Sequence, residues 1–396
     1  MKKNYSFIIV VIVFMATLMG CGSNHSFEKE AQVSGESLIP SSIEEPALPP
    51  GINVSWFKGD YDNVIGFGKS GLSRAEKNGK WGFINKSGAE VIPFIYSGAN
   101  GFVNGLAPVC KDDKWGYIDT QGKVVIPFKY DEAGVFKDGL AEVTKGKYQD
   151  SKSGFIDTTG KEVIPVMYRG CNWGFSEGLA GVCVEGYLKG KYGYIDTTGE
   201  VVIPFIYDYV NDFSEGLAGV ELGGMCGYID KTGQVVIPIT LERREWFHEG
   251  MVKDSQDLKN WGFIDRNGEN VIPYIYEWVD DFSEGLALVW KDEKCGFIDK
   301  EGKVVIPFIY DRAGGFSEGL AVISVVTGYE TRKMPGVSEN YSGDEDDFVE
   351  IEEKIYKKGY IDKTGKEVIP CIFDEARHFR GGEAIVCKDG KWGILK

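Results

Sequence analysis

Carboxylates are the most numerous side chains here that could do chemistry, and they recur in fixed surroundings. Aspartate stands at Asp119, Asp157, Asp196, Asp230, Asp265, Asp299 and Asp362, each time three residues before a glycine. Glutamate stands in a Ser-Glu-Gly triplet at Glu177, Glu215, Glu284 and Glu318. Two carboxylates in one site can cleave glycosides, and several together can hold calcium. A catalytic pair, however, belongs to one place in a chain, whereas these acids repeat, and one Asp per repeat brings no second ligand at fixed spacing. The cluster Asp344-Glu345-Asp346-Asp347 lacks the D-x-D-x-D-G order of an EF-hand loop and reads as a solvated acidic loop. The three histidines, His25, His248 and His378, have no nucleophile elbow, phosphate loop or metal-ligand spacing beside them. No Cys-x-x-Cys occurs among the eight cysteines, so a thiolate zinc site has no support. Cys226 and Cys295 fall where other repeats have Trp, and Cys371 where others have Phe, so they read as small buried hydrophobes. The reading is of a non-enzymatic protein with no catalytic residue, metal ligand or cofactor.

The elements that carry these residues repeat. One phrase, F-S-E-G-L-A-x-V, a polar gap, K-W-G-Y-I-D-K-T-G-K-V-V-I-P-F-I-Y-D, recurs nine times, with its central glycine at Gly82, Gly116, Gly154, Gly193, Gly227, Gly262, Gly296, Gly359 and Gly393. A period near 34 residues is a repeat architecture, in which each unit stacks on its neighbours to bury its apolar face. Within a unit, Leu106–Val109, Trp115–Ile118 and Val124–Pro127 read as three short strands separated by polar turns. The Asp of D-x-x-G can bond the backbone two residues on while the Gly takes a left-handed conformation, so its role is a turn. The glycine after Trp never varies among the nine units while its neighbour does (Ser153, Tyr192, Cys226, Cys295, Lys358), so backbone geometry is the stricter requirement. Ile-Pro ends the third strand, because proline cannot donate to a ladder. Tyr61, Tyr96, Tyr130, Tyr168, Tyr207, Tyr276, Tyr310 and Phe373 recur as plugs between units, and Leu241 fills the ninth such position.

The K-W-G-Y-I-D-x-x-G-K-x-V-I-P pattern resembles the bacterial WG (tryptophan-glycine) repeat family over about residues 61–396. That resemblance implies an all-β repeat array, often exported, with no common activity and no catalytic motif. The expected fold is all-β, a tandem WG-repeat array of about nine three-stranded antiparallel meander units in an open curved superhelix. The alternative is a closed propeller-like ring. The chain ends on the second strand of its last unit, and residues 52–57 could supply the missing strand.

The ends and composition place the array. Lys2, Lys3, the apolar stretch Phe7–Ala16 and Leu18-Met19-Gly20-Cys21 have the layout of a secretory signal ending in a lipobox, so residues 1–20 read as a lipoprotein signal peptide and Cys21 as the acylated N-terminus. Residues 21–50, rich in Ser, Glu and Pro, read as a disordered linker, and 51–396 as the array, with an acidic insertion at about 327–357. The formal charge of −16 argues against nucleic-acid binding. Off the repeat rule stand Trp56, Trp173, Trp246, Trp278 and Trp290. Of these Trp173, Trp246 and Trp278, on connections, are candidate sugar- or peptide-stacking anchors, with gap filling as the other explanation. The expectation is a monomeric, exported scaffold, held to a lipid bilayer through acylated Cys21, that binds an envelope polysaccharide, peptide or protein. A passive spacer and a carboxylate-based glycan-acting enzyme are the alternatives.

Overall fold

The computed structural model describes residues 47–396 apart from 148–149, 172–173, 185–189, 258 and 336–347. Residues 1–20, Cys21 and most of the 21–50 segment lie outside the described residues. The array is all-β: nine small antiparallel sheets follow one another as the blades of a propeller. Blade 2 is representative. Its strands Gly98–Ala99, Leu106–Lys111, Lys114–Asp119 and Val124–Tyr130 pair in that order. The three strands expected per unit are therefore joined by a fourth, only two residues long and too short to mark the sequence. Blade 6 alone keeps three, Met251–Ser255, Trp261–Asp265 and Asn270–Tyr276.

Of the two arrangements the sequence leaves open, the structure takes the closed ring. Val54, Ser55 and Trp56 pair with Leu395, Ile394 and Gly393, so the N-terminal strand completes blade 9. Phe57, Tyr61, Val64, Ala75 and Ile84 then share one core with Ile385, Cys387, Trp392 and Ile394, which packs blade 1 on blade 9. A polar clasp accompanies it: the Lys86 ammonium lies 2.7 Å from the Glu383 carboxylate.

Each sheet is apolar on both faces, and nine apolar layers fill the nine junctions. Between blades 1 and 2, Phe83, Ile92 and Tyr96 face Ala99, Ala107, Val109 and Ile118. An aromatic pair spans eight of the junctions. The residue after the invariant glycine meets the next blade's Phe, as in Tyr117–Phe136 at 5.1 Å and Phe297–Phe316 at 4.8 Å. Such pairs add about 0.5–1.5 kcal/mol each beyond burial. The Tyr plugs are buried throughout, as core.

The invariant glycine has a steric cause. From Trp115↔Tyr130 to Tyr117↔Ile126, the fourth strand uses two more residues than its partner, a bulge at the Ile-Pro step. The bulge folds the strand's backbone over Gly116, where a Cβ would stand 2.7 Å from the Ile126 oxygen. The same bulge and the proline leave each outer edge a poor template for pairing with another chain.

The insertion in blade 8 departs from the expected loop. Within the described residues it is a long β-ribbon: Leu320–Pro335 pairs with Phe348–Asp362, from Leu320↔Asp362 out to Pro335↔Phe348. The acidic cluster at 344–347 lies outside the described residues.

Replacing Gly116 with Ala should lower stability by about 1–3 kcal/mol, because the added methyl meets backbone. Gly101→Ala, where a Cβ would meet nothing within 4 Å, should stay within about 0.5 kcal/mol of the parent. Urea titration of both decides it; equal losses would refute the steric account.

Candidate ligand-binding site

The repeated acids are absorbed by the fold. In the D-x-x-G turns one Asp oxygen accepts two backbone N–H groups, as Asp119 does from Gln121 (3.0 Å) and Lys123 (2.9 Å), and Asn85 serves alike. The Ser-Glu-Gly glutamates sit at the tips of two-residue hairpins, with Glu177 and Gly178 both at positive φ (52° and 87°). That is the type I′ turn whose twist suits a hairpin. The Glu side chain reaches to the next blade. Glu177 accepts from Gly216 N–H (3.1 Å), Glu249 from Gly285 and Glu284 from Gly319 (both 2.9 Å). Glu215 and Glu318 bond the turns of blades 6 and 9 likewise. A cation of the next blade's D-x-x-G turn joins four of them: Lys231, Arg266, Lys300 and Lys363 lie 2.9–3.5 Å from Glu177, Glu215, Glu249 and Glu284. Beside each Glu, Ser176, Ser214, Ser283 and Ser317 donate to the carbonyl of the next blade's Phe. The result is a belt of staples from blade to blade.

These acids titrate accordingly. The Thr232 hydroxyl, with backbone N–H groups, holds Asp230 below the usual carboxylate range, and Thr159, Thr198 and Thr364 do the same for Asp157, Asp196 and Asp362. Partial burial pushes Glu177 and Glu284 up, but the lysine and the backbone donors outweigh it and leave both low.

Blade 6 breaks the pattern on both of its faces. In the other blades the fourth residue of L-A-x-V is a buried apolar group opposite the invariant glycine, as Val109 is opposite Gly116. In blade 6 that place is Asp254, buried to 4% exposure and opposite Gly262. Two changes accompany it. Leu241 replaces the Tyr plug, and Tyr274 stands where Phe128 does, with Asn270 at a position that holds Val or Glu in the other blades. The shorter Leu leaves room, and the room is polar. A cavity of about 380 Å³ between blades 5 and 6 is lined by Thr240, Leu241, Glu242, Asp254, Ser255, Gln256, Asn270 and Tyr274, among others. Tyr274 donates to Asp254 at 2.6 Å. Burial, together with that neighbouring carboxylate, pushes Tyr274 up to about 12. The apolar layer at this junction is the smallest of the nine.

On the opposite face Lys253 points toward blade 7. Its ammonium lies 3.3 Å from Asp281 and 3.9 Å from Glu245, and 6.0 Å from the Trp278 ring centre. Trp278 meets Trp261 edge-to-face at 5.2 Å, and the Arg243 guanidinium lies 4.9 Å over Trp261. Arg244 covers Tyr209 at 4.0 Å and pairs with Glu221 at 2.9 Å. Burial pushes Glu245 above the usual carboxylate range, with Lys253 opposing.

Two of the three candidate tryptophans thus fall in this sector: Trp246, 38% exposed, on the segment that replaces the missing strand, and Trp278, 48% exposed, at the start of blade 7. Lys253 lies beside the Trp278 ring and 3.9 Å from Glu245, the residue before Trp246 in the chain. Trp173 lies outside the described residues. Trp290 packs in the core between blades 7 and 8, and Trp56 lies over Gly393 in the closing strand. His248 stands 3.4 Å from Asp281. Among the described residues Cys110, Cys226, Cys295, Cys371 and Cys387 are free thiols, and burial pushes Cys295 and Cys371 up to about 12, which leaves them inert. No three His, Cys, Asp or Glu side chains converge to hold a metal among the described residues. Asp254, Tyr274, Lys253 and Asp281 escape a motif search. The signal for Asp254 is a column of Val, Ala and Ile holding one Asp when the nine units are superposed.

The model of the WG containing repeat matches residues 56–81, 81–115, 115–148, 154–187, 192–226, 227–252, 261–295, 296–325 and 359–392. The chain is a WG-repeat protein. No curated protein matches it. Among solved structures, it is similar to a eukaryotic initiation factor, with a TM-score of 0.52 and 12% identity over 78% of this chain and 86% of that one. BamB from Moraxella catarrhalis follows at a TM-score of 0.40 and 11% identity, over 87% and 98% of the two chains. The WD40 domain of SCAP from fission yeast gives 0.38 and 7%, over 87% and 94%. At these identities the likeness is one of fold. WG repeats here build blades, and blade 6 is the one that departs most from its siblings.

Two outcomes follow. Folded values of Asp157, Asp196, Asp230, Asp265 and Asp362 lie below the ordinary 3.8, so their stabilisation is complete above that value and disappears as pH falls through the folded values. The urea midpoint should be flat from pH 7 to about 5 and drop below about pH 4; a midpoint that rises on acidification would contradict the turn assignment. In blade 6, Tyr274→Phe leaves a buried carboxylate without its donor and should cost about 1–3 kcal/mol. Asp254→Val added to it should recover that loss, with thermal melts as the measure.

Proposed function

We propose that this WG-repeat protein is a lipid-anchored extracytoplasmic binding scaffold, with no catalytic role, that engages an envelope polysaccharide, peptide or protein through the blade 6 sector. One observation carries the reading. The repeated acids and plugs are used up in turns, staples and core, whereas blade 6 gives up apolar packing for a polar cavity on one face and a cation–aromatic cluster on the other. Unlike the core aromatics, Trp246 and Trp278 offer partly exposed rings, with the Lys253 ammonium beside Trp278 and near Glu245 and Asp281, which suits a flat apolar sugar face or a peptide with polar edges. A closed ring has no free blade to add to, which favours a monomer. The anchor reading rests on the Leu-Met-Gly-Cys ending at Cys21.

A second reading draws on the same cavity. Asp254 has no acidic counterpart in the other blades, as a catalytic acid would not, and lines one space with Glu242, whose position holds an acid in most units. Release of reducing ends from envelope glycans, lost in Asp254→Asn, would favour it over the scaffold.

The scaffold reading predicts that a glycan and peptide array finds a ligand whose affinity falls about tenfold in Trp246→Ala or Trp278→Ala, with melts unchanged. Undiminished binding in both variants would remove the blade 6 assignment. For the anchor, Cys21→Ala should move the protein from the membrane to the soluble fraction.

A further inference from the structure

The junction that closes the ring carries a second site, unlike that of blade 6. The staple belt changes there. In blade 9 the Ser-Glu-Gly triplet reads Arg380-Gly381-Gly382, and the carboxylate that meets the blade 1 turn comes instead from the next residue, Glu383. Between each blade's short first strand and its Phe lies a connecting dipeptide. In blade 9 it is Arg377-His378, flanked by Gly314-Gly315 in blade 8 and Ile65-Gly66 in blade 1. Glycines on both neighbours leave space around two basic side chains. The space is a cavity of about 260 Å³, lined by Ile65, Gly66, Ser317, Arg377, His378, Arg380 and Glu383 among others.

Its electrostatics are cationic in a chain of net charge −16. Arg377 spends one amino group on Asn63 (3.2 Å), while its buried Nε–H has no partner. A buried donor left bare costs free energy that an acceptor would return. The one carboxylate in the lining, Glu383, is neutralised from outside by Lys86 at 2.7 Å and Lys396 at 3.0 Å. Arg380 and His378 have no acidic partner among the described residues. The His378 ring is seated against Gly314, where a Cβ would lie 2.7 Å from its Cε1.

We infer that this closure cavity binds the phosphate group of a small soluble phosphomonoester. Arg377 lines the cavity, its buried Nε–H still without a partner, and Arg380 and His378 supply charge from the rim. The walls come from three blades, so the ligand also bridges the junction where the ring was joined and should hold it shut. The volume exceeds a bare phosphate and leaves room for a sugar-sized body.

Calorimetric titration of the full-length chain with inorganic phosphate and with glucose 1-phosphate should give saturable binding, tighter for the ester, and glucose alone none. The melting temperature should rise with glucose 1-phosphate. His378→Ala/Arg380→Ala, both exposed positions, should keep the unliganded melt and weaken binding at least tenfold. Gly314→Ala, which displaces the imidazole, should weaken it too. Trp246→Ala should leave it untouched, which separates this site from the blade 6 reading. Absence of saturable binding, unchanged affinity in the double variant, or binding only to phosphatidylglycerol vesicles would overturn the assignment.

Discussion

Both faces of every sheet in this chain are apolar, and a sheet with two apolar faces cannot end. Phe83, Ile92 and Tyr96 need the next blade, and Ala107, Val109 and Ile118 need the previous one. Burying one such Val, Ile or Phe is worth about 1.5–3 kcal/mol, so an open array would leave two whole layers in water. Closure removes both ends at once. Three residues of the N-terminal strand suffice, because Val54, Ser55 and Trp56 complete blade 9 and the core around Phe57 does the rest. Edge pairing is discouraged as well: the outer strands of the first eight blades bulge at their proline.

Against those layers the ionic staples are small. Lys231 and Glu177 are 44% and 30% exposed, and a pair like that contributes about 0–1 kcal/mol. Their value lies in geometry. A glutamate held at positive φ is unfavourable on its own, and the neighbouring turn's N–H groups give its carboxylate a fixed place. The belt thus sets how one blade is angled to the next, while the aromatic pairs set how tightly. It also explains why a strongly acidic chain tolerates its charge: many of the acids are bonded to backbone N–H groups.

The repeat made much of this legible. The nine units, the Asp turns, the invariant glycine and the Tyr plugs follow from a period and elementary sterics, and each is in the structure. What stayed hidden has physical causes. A strand of two residues, such as Gly98–Ala99, has no periodicity to read. The bulge that makes Gly116 obligatory is a relation between two strands, invisible in either alone. Glu177 looks like a candidate acid because its partners, Gly216 and Lys231, lie 39 and 54 residues away. The insertion looked like a loop because a ribbon beyond the blade has no core to pattern it; Tyr329 and Ile355 are exposed. Open and closed arrays differ only at the ends, where three residues decide.

Repetition also sharpens the meaning of exceptions. In a single-copy fold a buried Asp could be inherited scaffold. Here eight sibling blades show what the same position holds when stability alone is served, and Asp254 with Leu241 and Tyr274 departs from it in concert. A concerted loss of packing at one junction of nine is the signature of selection for something other than stability. The closure junction makes the same case by another route. Arg380 stands where the belt has serine, the flanks are glycine, and the buried Arg377 guanidinium is short of an acceptor. A ring of equivalent blades would place no cavity at its seam unless the seam were used. The two departures also differ in kind, one polar and acidic with exposed tryptophans, the other cationic and walled by three blades. The two proposed sites would therefore suit different ligands, and a scaffold that held two ligands at separate blades would bring them together.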